Sequence, residues 1–216
     1  MSNFDRQALY EALKRQTGMD DVFIPTAEQD LVNTSTTLGE INLYEKYYVK
    51  SISCPNLVSC DVINITQRDS PRGLLELNLP VLTTAINIDI AKTRLSTLDL
   101  SSLTTIEDTL GISNNDSLST LDLSALTSVG NIFEVSYNES LTNISISHSL
   151  NCLKINFGEN ALTPSCVDKI LDKINTAGYE NGTLRLNGGT NAIPSATGLV
   201  SKASLEGKGW TVAVNS

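Results

Sequence analysis

The side chains able to do chemistry are few and scattered. His148 is the single histidine, and no cysteine or serine is placed in sequence to use it as a general base; it reads as a solvated residue in a turn between strands. The four cysteines, Cys54, Cys60, Cys152 and Cys166, follow no zinc-ligand spacing. They read as small buried hydrophobes, with Cys54 to Cys60 the pairing that a disulfide would take. No nucleophile elbow, phosphate loop or metal-binding pair of histidines occurs. Gly188-Gly189 is followed by Thr-Asn-Ala, without the later glycine or lysine that a phosphate cradle requires. One acidic feature recurs. Asp99 and Asp122 hold equal positions in neighbouring sequence repeats, where they would stack with like charge about 5 Å apart, an arrangement that a calcium ion would relieve. Asn78 and Ser145 stand at the same position in the flanking repeats and dilute that charge, so a solvated column is the expectation. These residues point to no catalytic, cofactor or metal site.

The elements that position them come from the repeats. LSTLDLSSLTTIEDTLGISNNDS, from Leu95, aligns with LSTLDLSALTSVGNIFEVSYNES, from Leu118. LTNISISHSLNCLKINFGENA follows from Leu141, LLELNLPVLTTAINIDIAKTR precedes from Leu74, and a degenerate copy starts at Val49; the spacings are 25, 21, 23 and 23 residues. Each copy opens on L-x-x-L-x-L, so Leu98 and Leu100, Leu121 and Leu123, or Ile144 and Ile146 face one side of a short strand. A middle leucine follows (Leu103, Leu126, Leu150). Then comes a second β-prone run: VINI at 62–65, INIDI at 86–90, LGIS at 110–113, IFEVSY at 132–137 and LKINF at 153–157. It closes on an Asn-rich turn such as Asn114-Asn115-Asp116 or Asn138-Glu139, where stacked asparagines can bond their own turn and the next coil. So short a unit cannot bury its own apolar face. Neighbours must stack, which gives a mainly β solenoid with two short parallel strands per coil.

The bulk numbers agree. Apolar residues make up 40%, charged residues 18% and aromatic residues 5%; a core of Leu, Ile and Val under a Ser/Thr/Asn surface suits thin stacked layers. A net charge of −9 without a basic cluster argues against nucleic acid and against anionic membrane surfaces. No run approaches the roughly 18 to 20 apolar residues of a membrane span. The opening MSNFDRQALYEALKRQTG carries Asp5 and Glu11 and lacks a basic leader and an apolar stretch, so it reads as cytoplasmically made sequence rather than a signal peptide.

At the C-terminal end, residues 163–177 read as a helix capped by Thr163 or Ser165 and stopped by Gly178. Thr183 to Asn187 continues the second sheet, a second helix spans about residues 195–206, and Trp210-Thr211-Val212 forms a last strand, with Trp210 as core. At the other end, Phe4 to Gln16 reads as an amphipathic helix with Phe4, Ala8, Leu9, Ala12 and Leu13 on one face, followed by an extended arm. A helix of about 13 residues is marginal alone, so this face must dock, either on the first coil or on a partner. Tyr44, Tyr47 and Tyr48 crowd the junction and suit the same interface or the packing of the first coil. The division expected is an N-terminal helix and arm at 1–40, a solenoid at 41–162 and an α/β end at 163–216.

The L-x-x-L-D-L repeats with a second strand ending in Asn resemble the irregular bacterial and viral leucine-rich repeats. From Asn160 onward, and above all in NGTLRLNGGTNAIPS (Asn181 to Ser195) and L-x-x-KGW-x-V (Leu205 to Val212), the chain is similar to a C-terminal cap found on repeat-bearing proteins of bacteriophage particles and some bacterial surface proteins. The resemblance covers roughly residues 74–216 and implies a structural or adhesive role with no catalytic residues to carry over. The expectation is therefore a non-enzymatic virion component (a tail, fibre or head-accessory protein) attached through Phe4, Leu9, Leu13, Tyr44, Tyr47 and Tyr48. Its expected partners are other virion or surface proteins, a host receptor or a glycan, and copies of itself. The alternatives are a bacterial surface adhesion module, and a solenoid-type polysaccharide lyase or hydrolase, which would need carboxylates clustered on one sheet face.

Overall fold

The computed structural model describes residues 22–23, 31–32, 35–44, 49–67 and 73–216. The helix expected from Phe4 to Gln16, with Leu9 and Leu13, and the tyrosines Tyr47 and Tyr48 lie outside the described residues. The chain winds as a mainly β parallel solenoid of about five turns with two helices.

A long sheet runs in the order β1 (Val22–Phe23), β3 (Thr37–Tyr44), β5 (Ser59–Thr66), β7 (Thr84–Ala91), β8 (Thr105–Ser113), β11 (Ile132–Ser136), β13 (Lys154–Asn156), β14 (Thr183–Arg185) and β15 (Thr211–Ala213), with β10 (Ser128–Val129) paired to β8. The opposite wall carries β2 (Leu31–Val32), β4 (Ser51–Ser53) and β6 (Glu76–Asn78), then β9 (Thr120–Leu123) and β12 (Asn143–Ile146), with Asp99 bridging to Asp122 between them. Every pairing is parallel, as it must be when each coil repeats the direction of the last. The second β-prone run of each repeat thus builds the long sheet, and the L-x-x-L-x-L opening builds the short wall. β3 crosses residue 40 and pairs with β5 over its length, so the stacked strands begin before residue 41.

Alternation sets what is inside. Leu98 and Leu100, Leu121 and Leu123, and Ile144 and Ile146 are buried between the walls, as are Leu103, Leu126 and Leu150 at the turn. Ile63 and Ile65, Ile88 and Ile90, Leu110 and Ile112, and Phe133 and Val135 meet them from the long sheet. Phe133 and Phe157 pack edge to face with ring centroids 4.8 Å apart. At one corner a threonine column repeats the same bond. The Oγ1 of Thr83, Thr104 and Thr127 donates to the carbonyl of Val58, Thr83 and Thr104 in the coil before.

The other corner holds buried carboxamides. Asn115, Asn138, Asn160 and Asn191 are all buried. Asn138 Oδ1 accepts the amide of Asn115, while its Nδ2 donates to the carbonyls of Ile112 and Ser136. Asn160 does the same one coil on, accepting from the Asn138 amide and donating to Val135 and Phe157. Asn191 accepts from Leu162 and donates to Phe157 and Leu186. In earlier coils Asn115 takes the amide and hydroxyl of Thr93, and Gln67 accepts the amide of Leu74. Before Thr93, Asn115, Asn138 and Asn160 the turn puts the preceding residue in the left-handed region: Lys92, Asn114, Tyr137 and Glu159 have φ of 57°, 56°, 55° and 57°.

The C-terminal helices occupy positions beside the walls. Helix α1 (Pro164–Ala177) is capped by Thr163, whose hydroxyl accepts from Cys166 N, and ends at Gly178 with φ 82°. It buries Val167, Ile170, Leu171 and Ile174 and lies against β12. There the edge of the short wall is met by side chains: Ile144 N donates to Cys166 Sγ, and Lys173 Nζ donates to Ile146 O at 2.7 Å. Helix α2 (Ala196–Gly207), capped by Ser195, packs on α1 and β15. Trp210 is buried, with Nε1 donating to Tyr179 O at 2.7 Å.

Replacing Asn138 with alanine strands the Asn115 amide and the Ile112 carbonyl in the interior, a loss of about 2 to 4 kcal/mol. Asn131→Ala, on the exposed surface, should cost under about 0.5 kcal/mol. Urea unfolding of the two variants beside the parent checks the contrast, and equal midpoints would remove the carboxamide stack from the account.

Candidate functional site

The long sheet turns one face to the core and the other to solvent, and parallel registers align its outward side chains in columns. One column reads Asn42, Asn64, Asp89, Gly111, Glu134, Asn156 and Arg185 on successive strands. Successive members stand about 4.8 Å apart along the solenoid axis. The neighbouring column carries Val62, Asn87, Thr109 and Ile132. Between them lies an open groove of about 550 Å³ with Gly111 on its floor, Asp89 and Glu134 on either side, and Tyr137 among its lining residues.

Glycine at 111 is not demanded by the backbone. An added Cβ would lie 3.4 Å from Asp89 Oδ1 and 3.7 Å from Ile88 O, which is ordinary contact. The contrast is Gly130, where a Cβ would run into the Glu107 carbonyl. There β8 is irregular, since the register to β7 shifts between Ala85 and Asn87 and fits an extra residue against Ile86. Gly130 is imposed by that close approach, whereas Gly111 gives up strand propensity for open space.

The two carboxylates differ. Glu134 accepts from Ser136 Oγ at 2.6 Å and from Asn156 Nδ2 at 2.9 Å. Asp89 takes no hydrogen bond or ion pair from any described residue. Partial desolvation, and after it the negative charge of Glu134, hold the Asp89 carboxyl above its ordinary value. Amide donors stand nearby. Asn87 Oδ1 is engaged by Thr109 N, and Asn64 Oδ1 accepts from Thr66 Oγ1, which leaves both NH2 groups for the groove. The acidic column legible in the repeats is that of Asp99 and Asp122, and Asp89 with Glu134 is not among the residues singled out from the sequence. Aligning INIDI with LGIS and IFEVS finds it.

The residues singled out from the sequence are dispersed. Asp99 and Asp122 stand side by side on the short wall, yet each turns into its own coil: Asp99 Oδ1 accepts from Ser101 N and Oγ, and Asp122 Oδ1 from Ser124 N. The Ser101 bonds hold the Asp99 carboxyl below its ordinary value. Among the described residues no group of three or more His, Cys, Asp or Glu side chains could hold a metal ion. His148 is exposed in a turn. The four cysteines are buried and none is joined in a disulfide, and burial pushes the Cys60 thiol up to about 12 and raises those of Cys152 and Cys166. Gly188 and Gly189 enclose the chain's own Glu159 carboxylate, which accepts from Gly189 N and pairs with Arg185 at 2.8 Å. Of the residues proposed for attachment, Tyr44 closes β3 with its backbone opposite Thr66. Phe4, Leu9, Leu13, Tyr47 and Tyr48 lie outside the described residues.

Comparison of the chain with protein-family models, with curated proteins and with solved structures gives no match in any of the three. No helix among the described residues is long and apolar enough to cross a membrane.

The raised Asp89 carboxyl has a stability consequence of definite sign. Because folding disfavours its ionised form, the penalty is absent in acid, where the group is protonated in both states, and is complete once the pH exceeds the folded value. Asp89→Asn should therefore raise the melting temperature slightly at pH 7, with the gain gone near about pH 3. A gain that stays constant across the two pH values would show that charge is not its source.

Proposed function

We propose that this chain is a non-enzymatic structural and interaction protein that presents the outward face of its long sheet, serving as a component of a bacteriophage particle such as a tail, fibre or head-accessory protein. The observation that carries the reading is the column register. Outward side chains stand in fixed rows across strands from β3 to β14, the form of a recognition surface held by a stiff scaffold. The coil is read as leucine-rich-repeat-like, in keeping with the buried L-x-x-L-x-L leucines and the carboxamide stack. The segment from α1 to β15 is read as its terminal cap, since Cys166 and Lys173 supply partners to the edge of β12. The likeness of this tail to caps on phage-particle proteins supports a virion, and its likeness to caps on some bacterial surface proteins leaves a surface adhesion module as the alternative. Assembly in a cytoplasm fits a virion protein, and attachment is assigned to the N-terminal region.

Mass spectrometry of purified particles, envelopes and cytosol from the source culture should find the protein enriched with sedimenting, nuclease-resistant particles. Removing residues 1–21, which precede the first described strand, should leave the unfolding transition cooperative and abolish that enrichment. Enrichment of the intact chain in envelopes would transfer the reading to a surface adhesion module. Loss of folding on truncation would reduce the N-terminal region to part of the solenoid.

A further inference from the structure

Resting on the reading of the long sheet as the presented surface, we propose that the groove over Gly111 binds a neutral saccharide chain lying along the solenoid axis. From Asn42 to Asn156 the outward column offers one amide or carboxylate side chain per coil at a spacing of about 4.8 Å, interrupted only at Gly111. An extended saccharide advances by a comparable length per ring, so each ring meets one polar side chain and the gap admits the ring that sits deepest. Glycine is not needed there for the fold, and in a strand interior it marks a place where something approaches the backbone closely.

The chemistry of the groove selects the ligand. No lysine, arginine or histidine lines it, so an anionic ligand has no counter-charge. A basic peptide would suit Asp89, but it leaves the amide NH2 groups of Asn64 and Asn87 facing donors. Glu134 is moreover already answered by Ser136 and Asn156. A sugar hydroxyl both donates and accepts. It can donate a hydrogen bond to the unpartnered Asp89 carboxylate and accept one from a neighbouring amide N–H, which is the mixture presented here. Tyr137, 48% exposed among the lining residues, supplies an aromatic plane for the apolar face of a ring.

The test uses the full chain, immobilised, against linear neutral oligosaccharides of the β-glucose, N-acetylglucosamine and mannose series, with oligolysine as the competing class. The expected result is binding of at least one series, with affinity rising over the first few rings. Gly111→Val, which fills the gap with a residue favoured in strands, should weaken binding about tenfold or more while the melting temperature holds or rises. Asp89→Asn, isosteric and folded, should weaken it less. Absence of binding across the series, binding unaffected by Gly111→Val, or capture of oligolysine in its place would overturn the proposal. If particles still carry the protein while no saccharide binds, the saccharide falls and the display role stands. If the protein is absent from particles yet the saccharide binds, the reverse holds.

Discussion

A buried carboxamide that must satisfy the backbone of two coils at once is the constraint on which this structure depends. A parallel solenoid turns sharply at its corners, and each turn brings amides and carbonyls into the interior where water cannot reach them. Asn138 resolves this by accepting from the coil before, through Asn115 N, and donating to the carbonyl of Ile112 there and of Ser136 in its own. Because Asn160 performs the same service for Asn138, no member can leave without stranding a neighbour. The stack therefore adds buried side-chain bonds to the parallel backbone ladders and the threonine column that also join the coils.

The outward face follows from that coupling. With coil height and register fixed at one corner by carboxamides and at the other by the threonine column, outward side chains fall into rows rather than scatter. The extra residue of β8 is matched in the next coil, where Val129 pairs with Ile106 and Ile132 with Thr109 around the close approach of Gly130 to Glu107, so β11 stays in register with Glu134 opposite Gly111. The carboxylates of Asp89 and Glu134 are thereby held two strands apart across a residue without a side chain, at the cost of their mutual repulsion. Chains relieve such strain where it has no use; retaining an unpartnered carboxylate beside a strand glycine is consistent with a surface shaped for contact.

Much of this was legible in the sequence. Leucine spacing gave both walls and their inward faces, and Asn115 and Asn138 announced the turn chemistry. Thr163, Pro164 and Gly178 marked α1 closely, because caps are local chemistry. Trp210 was readable as core because a lone tryptophan in a polar tail needs burial. What escaped depended on register. Gln67 and Thr93 replace asparagine in the stack, and only their place in the coil reveals it. Asp89 and Glu134 lie 45 residues apart by number, and the extra residue in β8 shifts their offsets from the repeat openings, so they fall in one row only when the second β-prone runs are aligned with each other. The same applies to β3, whose start before residue 40 is set by pairing with β5 rather than by composition.

The most direct test is native-state amide hydrogen exchange, read residue by residue at Asn115, Asn138 and Leu162, whose N–H groups are held by the stack. If the carboxamides bind the coils into one unit that fixes the outward face, these three amides exchange with a single free energy equal to that of global unfolding. Distinct, lower values at each coil would mean that the coils open separately, and the rows on the long sheet would then lack the rigidity on which the functional account rests.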